Sequence, residues 1–168
     1  MLHSLDLIPA AHDQQPVLAN MLELYAHDFS EFLPIELGDD GRFGYKNLPL
    51  YWSDRNRQPF FARLQGKLAG LVLVKRGSEI SVNQDVWDMA EFFILRAYRR
   101  RGVGTELAAK VWRHCPGSWE VRVRANNVPA LQFWHAAVAK FTGQALNSAP
   151  FEIDGVSWHV LSFEANVH

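Results

Sequence analysis

The stretch Glu91-Phe-Phe-Ile-Leu-Arg-Ala-Tyr-Arg-Arg-Arg-Gly-Val-Gly-Thr105 decides the fold of this chain. It begins as an apolar, β-prone run and ends where a helical period starts, so a turn with two glycines joins the two elements. Such a turn presents unpaired backbone N–H groups and the positive end of a helix dipole at one point. The stretch therefore predicts an anion-binding junction between a strand and a helix.

The side chains of this turn favour a diphosphate as the anion. Gly102 and Gly104 let the backbone approach it closely, and Arg99, Arg100 and Arg101 add positive charge at the rim. The third glycine of the dinucleotide fingerprint and the Gly-Lys-Ser/Thr of the P-loop are both missing. The residues thus indicate a pyrophosphate without naming the ligand that carries it.

Hydrophobic periodicity predicts the remaining elements. They are a helix within 13–33 with a second short helical segment through Phe29 and Leu33, an ordered loop at 36–57, strands at 59–64, 68–75 and 86–95, a helix from Val103 to Pro116, a strand at 119–123, a helix at 129–139 and a final hairpin turned by Asp154-Gly155. Strands alternate with helices in the second half. This order predicts a single α/β or α+β domain over residues 1–168.

Composition and charge limit the class of protein. With 48% hydrophobic and 21% charged residues, the chain has the composition of a folded domain, and its net charge is −1. Residues 1–41 hold eight acids and no Lys or Arg, so the rest carries all 17 basic residues against 10 acids, which is 18 minus 8. This asymmetry predicts two partners of opposite charge.

Location is predicted from what the chain lacks. The first residues show no basic leader followed by an apolar run, and no apolar stretch approaches the ~20 residues that span a bilayer. The lone Cys115 fits a reducing compartment and is expected to be a buried thiol at the end of a helix. We expect a cytoplasmic protein without a membrane partner.

Two motifs of this chain occur together. They are Arg99-x-x-Gly102-x-Gly104 after Phe92-Phe-Ile94, and Asn127-Val-Pro-Ala-Leu-Gln-Phe-Trp134 downstream of it. The pair resembles the GNAT superfamily of acyl-CoA-dependent N-acetyltransferases, whose motifs are Gln/Arg-x-x-Gly-x-Gly/Ala after a strand and Asn-x-x-Ala-x-x-Phe-Tyr at the same spacing. The resemblance covers nearly the whole chain, with the N-terminal part matched by element order.

The resemblance implies a fold and a cofactor. The fold is a central, mostly antiparallel sheet with one splayed parallel strand pair, flanked by about four helices. The cofactor is acetyl-CoA, with the pantetheine arm on the strand backbone, the pyrophosphate on the glycine turn, and no metal. The implied binding residues are Phe92, Phe93, Ile94, Arg99, Arg100, Arg101, Gly102, Val103, Gly104, Thr105, Asn127 and Trp134.

The implied reaction is acetyl transfer to a primary amine by direct attack in a ternary complex, and it needs a base. Glu91 is the first candidate, because it would face the splayed gap, where desolvation raises its pKa. The alternative is that Glu91 only pairs with a nearby arginine. Asp88, expected on the opposite face of the strand, is the second candidate, and a water chain could replace either.

Trp134 departs from the family pattern, which has a tyrosine there to protonate the departing thiolate. Indole cannot donate a proton in that role, so the acid stays unassigned. Trp134 either borders the thioester channel or packs in the core. His135, next in the helix, is expected at the surface.

The acceptor side is implied by the family to lie at the first helices and their loop. Acids and aromatic rings there favour a small cationic amine or a basic peptide, although the acids could simply solvate a helix face. The candidates are Tyr25, Asp28, Glu31 and Tyr51, with Ser30 and Tyr45 beside them. A homodimer stays open, because six tryptophans could furnish an aromatic interface.

Two other classes compete with the enzyme. Clustered arginines are typical of nucleic-acid binding, yet half of them fall in the anion-binding turn and the protein is slightly acidic, so we predict no nucleic-acid partner. Those arginines are Arg96, Arg99, Arg100, Arg101, Arg122 and Arg124. Loss of the acid tyrosine permits a non-catalytic acyl-CoA sensor.

Overall fold

A computed structural model describes residues 4–166, so the first three and last two residues of the predicted 1–168 domain lie outside it. The described chain forms one sheet of seven strands. They are β1 (Leu5–Pro9), β2 (Arg57–Leu64), β3 (Lys67–Arg76), β4 (Trp87–Ile94), β5 (Gly117–Arg124), β6 (Ala149–Ile153) and β7 (Val156–Ala165). Their order is β1-β2-β3-β4-β5-β7-β6, and every neighbouring pair is antiparallel except β4 and β5. The predicted sheet is confirmed.

Four α-helices flank the sheet in the described chain, the number that the resemblance implies. They are α1 (Gln15–Phe29), α2 (Leu50–Ser53), α3 (Val103–His114) and α4 (Val128–Thr142). The predicted second helical segment was wrong, because residues 30–33 form turns. The Ser30 hydroxyl donates to His27 O at 2.6 Å and ends α1. The short β1 and α2 were not predicted.

The two faces of the sheet carry separate cores. Helices α3 and α4 cover one face, where Leu107, Trp112 and Trp119 are buried. Helices α1 and α2 cover the other, over Leu73 and Phe93. Four of the six tryptophans are buried, so they serve the core rather than an exposed aromatic patch. Cys115 is buried at the end of α3, as expected.

A bulge in β4 changes which side chains share a face. Leu73 pairs with Glu91 and Val74 with Met89, so Ala90 is an extra residue on β4. If Ala90 were paired regularly, Asp88 and Glu91, which are three residues apart, would point to opposite faces. With the bulge, both lie on the α1 face, so the predicted opposite placement of Asp88 was wrong.

Strands β4 and β5 separate soon after they meet. In the described chain their ladder holds Trp87 opposite Trp119 and Asp88 opposite Glu120, and no later pair. Strand β5 stays paired with β7 from Gly117 to Arg124. A gap therefore opens beside the C-terminal half of β4, which confirms the splayed pair.

Gly70 permits a close approach of β3 to β4 at this gap. A Cβ at this position would lie 2.2 Å from the carbonyl oxygen of Phe93. We expect Gly70→Ala to lower the free energy of unfolding by about 1–3 kcal/mol, because the strands must shift. Alanine otherwise stabilises through the unfolded state, so an unchanged or higher urea midpoint would contradict the clash. Lys67→Ala, at an exposed position of β3, is the control and should change little.

Candidate active site

A groove of about 840 Å³ lies between the end of β4, the last turns of α1 and the first turns of α3 and α4. It brings together most of the predicted cofactor-binding residues. Those that line it are Phe92, Phe93, Ile94, Arg99, Arg100, Gly102, Gly104, Thr105, Asn127 and Trp134. Val103 is instead buried in the core, and Arg101 lines a second cavity between α3 and α4. The sequence motif therefore corresponds to one continuous surface.

Gly102 forms the N-cap of α3 in a left-handed conformation with φ of 77°. A Cβ there would have no heavy atom within 4 Å, so the space above the helix N-terminus is open. The preceding Arg100 also has a positive φ, of 61°. This tight turn aims the free N–H groups of the first helical turn outward, which suits a diphosphate.

Gly104 serves a packing purpose that its sequence position does not reveal. A Cβ on it would lie 3.1 Å from a ring carbon of Phe133 on α4. The Phe133 ring in turn lies 5.8 Å from that of Phe92 on β4, measured between centroids. The second glycine of the motif thus lets α3 approach α4 at the floor of the groove.

Arg99 turns back from the phosphate turn to the rest of the protein. Its Nε donates to Ile94 O at 2.7 Å, and its guanidinium lies 5.5 Å from the Phe93 ring centroid. Its Nη2 also donates to Asp28 near the end of α1. Arg99 therefore ties α1 to β4, and the exposed positive charge of the turn comes from Arg100 and Arg101.

Glu91 is half-buried on the α1 face, beside the gap. The Tyr45 hydroxyl donates to Glu91 Oε1 at 3.1 Å, and Tyr25 forms a second side-chain hydrogen bond to this carboxylate. Burial raises the pKa of Glu91 to about 7 against the opposing effect of these hydrogen bonds, and the charge of Asp88 raises it further. Burial thus shifts the pKa in the expected direction, and the role of Glu91 as the base stays a prediction. In the described chain Glu91 forms no ion pair with an arginine.

Tyr45 reaches Glu91 because the loop at 36–57 is held against α1. The carboxylate of Glu23 accepts hydrogen bonds from Phe43 N at 2.7 Å and Gly44 N at 2.9 Å. Burial raises the pKa values of Tyr25 and Tyr45, so both phenols keep the proton that they donate. No local pattern indicates this role for Glu23, because its partners are about 20 residues away.

The sequence left open an ion pair between Glu91 and an arginine. In the structure Asp88, not Glu91, forms such a pair. Its side chain is 1% exposed and accepts from Arg122 Nε at 3.2 Å and Nη2 at 2.8 Å, a two-bond contact. Lys75 Nζ lies 3.8 Å from the same carboxylate. The ion pair joins β4 to β5 at the last rung before they separate.

Asp88→Asn should therefore act on stability more than on the reaction. Breaking a buried ion pair leaves Arg122 uncompensated, so we expect the free energy of unfolding to fall by about 2–4 kcal/mol. For the folded fraction, kcat should stay within about fivefold, whereas loss of a general base costs 10²–10⁴-fold. Urea unfolding and thiol-release kinetics check both values. Glu120→Gln, on the same face of β5, is the matched control with a small effect on each.

The acidic and aromatic residues predicted on the acceptor side do not form one charged surface. Partial burial opposes ionisation of Asp28, but hydrogen bonds from Arg96 and Arg99 outweigh it and hold the pKa of Asp28 below its usual value. Tyr25 lines the groove, whereas Tyr51 belongs to α2 and is 3% exposed, with its side chain in the core. Glu31 is exposed on the turn after α1. The structure does not bring these four residues into one acidic pocket.

Asn127 and Trp134 have structural partners of their own. Asn127 Oδ1 caps α4 by accepting from Ala130 N at 3.2 Å. Trp134 is 7% exposed and lies 4.8 Å from the Phe92 ring, so it both packs in the core and borders the groove. His135 is half-buried, with Nδ1 3.0 Å from Leu146 O, rather than a fully exposed surface residue.

The model of the acetyltransferase (GNAT) family matches residues 18–137, which is more than half of the chain. The chain therefore belongs to the GNAT acetyltransferase family. Membership confirms the resemblance, the class of enzyme and acetyl-CoA as the acetyl donor that were predicted from the two motifs. No curated protein matches the chain.

Solved acetyltransferases share the fold at low sequence identity. An acetyltransferase from Thermus thermophilus is 18% identical, with a TM-score of 0.65 over 95% of this chain and 97% of that one. The PaiA N-acetyltransferase from Thermoplasma acidophilum, in complex with coenzyme A, is 9% identical, with a TM-score of 0.62 over 96% and 99%. A chimera of the spermidine N-acetyltransferase SpeG from Vibrio cholerae and hSSAT is 14% identical, with a TM-score of 0.62 over 96% and 95%.

Two further findings concern the described residues as a whole. None of the helices within 4–166 combines the length and apolarity of a transmembrane span. In the same range, no three His, Cys, Asp or Glu side chains are grouped so that they could hold a metal ion.

Proposed function

We propose that this protein transfers an acetyl group from acetyl-CoA to a primary amine by direct attack in a ternary complex, with Glu91 as the general base. The observation that carries the proposal is the carboxylate of Glu91, whose pKa burial raises to about 7, at the gap between β4 and β5. A base with this pKa is ionised enough at neutral pH to accept a proton and basic enough to hold it.

The groove has the features that acetyl-CoA needs. The N-terminus of α3 behind Gly102 offers N–H groups and open space to the pyrophosphate. Beyond Asp88 the edge of β4 has lost its β5 partner, so the backbone of Phe92 to Ile94 can bond the amides of the pantetheine arm. When bound, acetyl-CoA supplies the acetyl thioester at the gap.

The chain's own residues then orient the reacting groups and move the proton. Tyr45 and Tyr25 hold the Glu91 carboxylate in one orientation by their hydroxyl groups. Attack by the neutral amine nitrogen forms the C–N bond, breaks the C–S bond and releases CoA as its thiolate, while the proton lost by the nitrogen goes to a carboxylate oxygen of Glu91. The packed rings of Phe92, Phe133 and Trp134 keep the floor of the groove apolar.

A free-thiol release assay with acetyl-CoA tests the proposal against a panel of amines. The panel should include spermidine, a lysine-containing peptide and α-amino acids, and the expected result is thiol release that depends on an amine. Tight CoA binding without thiol release for any amine would instead identify a non-catalytic CoA sensor.

A further inference from the structure

We infer that the acceptor amine also carries a carboxylate, as an α-amino acid does, and that Arg124 binds this carboxylate beside the indole of Trp158. The inference rests on the proposed function and narrows its substrate class. It starts from the α1 face of the sheet, where β5 continues past the point at which β4 leaves it.

Arg124 stands across the gap from Glu91. Asp88 and Glu120 are neighbours in the parallel ladder and share the α1 face, and Arg122 and Arg124 follow on that face at the two-residue period of a strand. At ~3.3 Å per residue, Arg124 lies about 13 Å beyond Glu120, and Glu91 about 7–10 Å beyond Asp88. The two positions are thus offset by only about 3–6 Å along the strands, on opposite sides of the gap.

The other basic side chains around this part of the face are already paired. Arg122 binds Asp88, Lys75 binds Glu79, and Arg57 binds Asp54 at 3.3 Å. The carboxylate of Glu120 accepts from the Ser78 hydroxyl at 2.6 Å. Each of these three basic side chains therefore has a carboxylate partner within the protein.

Arg124 is the exception on this face. Within residues 4–166 its guanidinium forms no ion pair, and its Nε is buried without a hydrogen-bond partner. The guanidinium lies 5.5 Å from the ring centroid of Trp158, its register partner on β7, whose indole N–H is also buried without a partner. Both groups are donors only, so neither can satisfy the other, and neither of the two buried atoms has an acceptor within the described residues.

A carboxylate on the amine substrate would give the terminal guanidinium nitrogens of Arg124 an acceptor. Leaving buried donors unsatisfied costs free energy, and a charged oxygen on a guanidinium makes a stronger bond than a neutral one. An amine substrate with a second positive charge would instead place that charge next to Arg124. The same residue therefore favours amino acids and disfavours polyamines.

The test compares amines that differ only in the carboxylate. We would measure kcat/KM by thiol release for L-leucine against isopentylamine, L-phenylalanine against phenethylamine, and L-lysine against cadaverine, with spermidine included. We expect kcat/KM to be at least tenfold higher for the amino acid of at least one pair. Equal or better turnover of the decarboxylated amine in every pair would overturn the inference and leave the proposed function intact.

Variants then assign the preference to Arg124. In Arg124→Gln we expect KM for the preferred amino acid to rise about 10–100-fold, as for a lost charged hydrogen bond, with kcat/KM for its decarboxylated partner within about threefold of wild type. Arg55→Gln, at an exposed arginine in the loop before β2, should leave both substrates unchanged. An unchanged KM in Arg124→Gln would overturn the assignment.

The comparison of wild-type substrates does not require the variant to fold. A second measurement also avoids turnover: in the presence of CoA, the preferred amino acid should raise the Tm of the wild type, and its decarboxylated partner should not. Equal shifts for both compounds would contradict recognition of the carboxylate. Absence of thiol release with every amine would defeat the proposed function itself, and this inference with it.

Discussion

Replacing Glu91 with glutamine is expected to lower kcat by about 10²–10³-fold, the usual contribution of a general base. The pH profile should change as well. Because burial raises the pKa of Glu91 to about 7, kcat/KM of the wild type should rise with pH through about 7 as the carboxylate ionises. Glutamine has the shape of glutamate but does not titrate, so the rise of kcat/KM with pH should be absent from the variant.

The stability of Glu91→Gln supplies a control, because it should rise at high pH while the activity falls. The pKa of Glu91 is higher in the folded state than its ordinary value, so the native state binds more protons and loses stability as pH rises from about 5 to about 8. Glu91→Gln removes this loss and should raise the free energy of unfolding at pH 9 by about 1–3 kcal/mol, with no gain below pH 4. A stable variant that is nearly inactive cannot be explained by unfolding. Full activity with an unchanged pH profile would point to a water chain as the base.

Gly102→Glu should raise the Kd for acetyl-CoA by about 100-fold or more. The substitution fills open space above the N-terminus of α3 and places a negative charge where a diphosphate is expected. A side chain at a φ of 77° is also strained, which distorts the turn. Isothermal titration with CoA measures the change directly and does not depend on an acceptor.

Gly143→Glu is the matched control for this prediction. Gly143 caps the C-terminus of α4 with a φ of 74°, and a Cβ there also has nothing within 4 Å. The strain and the added charge are thus the same as at Gly102, but Gly143 does not line the groove. Glutamate is worse at a helix C-terminus than at an N-terminus, so the control should be the less stable variant and still bind CoA. Equal Kd values in the two variants would show that the pyrophosphate does not bind at Gly102.

Most of the fold and the cofactor turn could be predicted from the sequence, because their signals are local. The turn from Arg99 to Thr105 and the apolar period of α3 lie within about 20 residues, and both are found as predicted. Strand β1 was not predicted, because five residues at a sheet edge give too short an alternation of apolar and polar residues. The short α2 was not predicted, because packing against the sheet, not hydrophobic periodicity, makes it a helix.

The chemistry of the site was less accessible, because it depends on pairs that are distant in the chain. Asp88 and Arg122 form an ion pair across 34 residues, and Tyr45 meets Glu91 across 46. Residue type alone could not tell which acid would meet an arginine and which a phenol. The register of β3 on β4 decides it.

Ala90 makes this acetyltransferase dependent on strand register as well as on residue type. If the part of β4 before Ala90 slipped by one residue, so that Ala90 paired regularly with β3, Trp87 and Met89 would turn toward α1. Asp88 would then point into the tryptophan core on the other face, among apolar side chains. Substitutions can therefore alter this site gradually, but loss of the bulge by a one-residue slip would invert the first half of β4 at once without changing any of its residues.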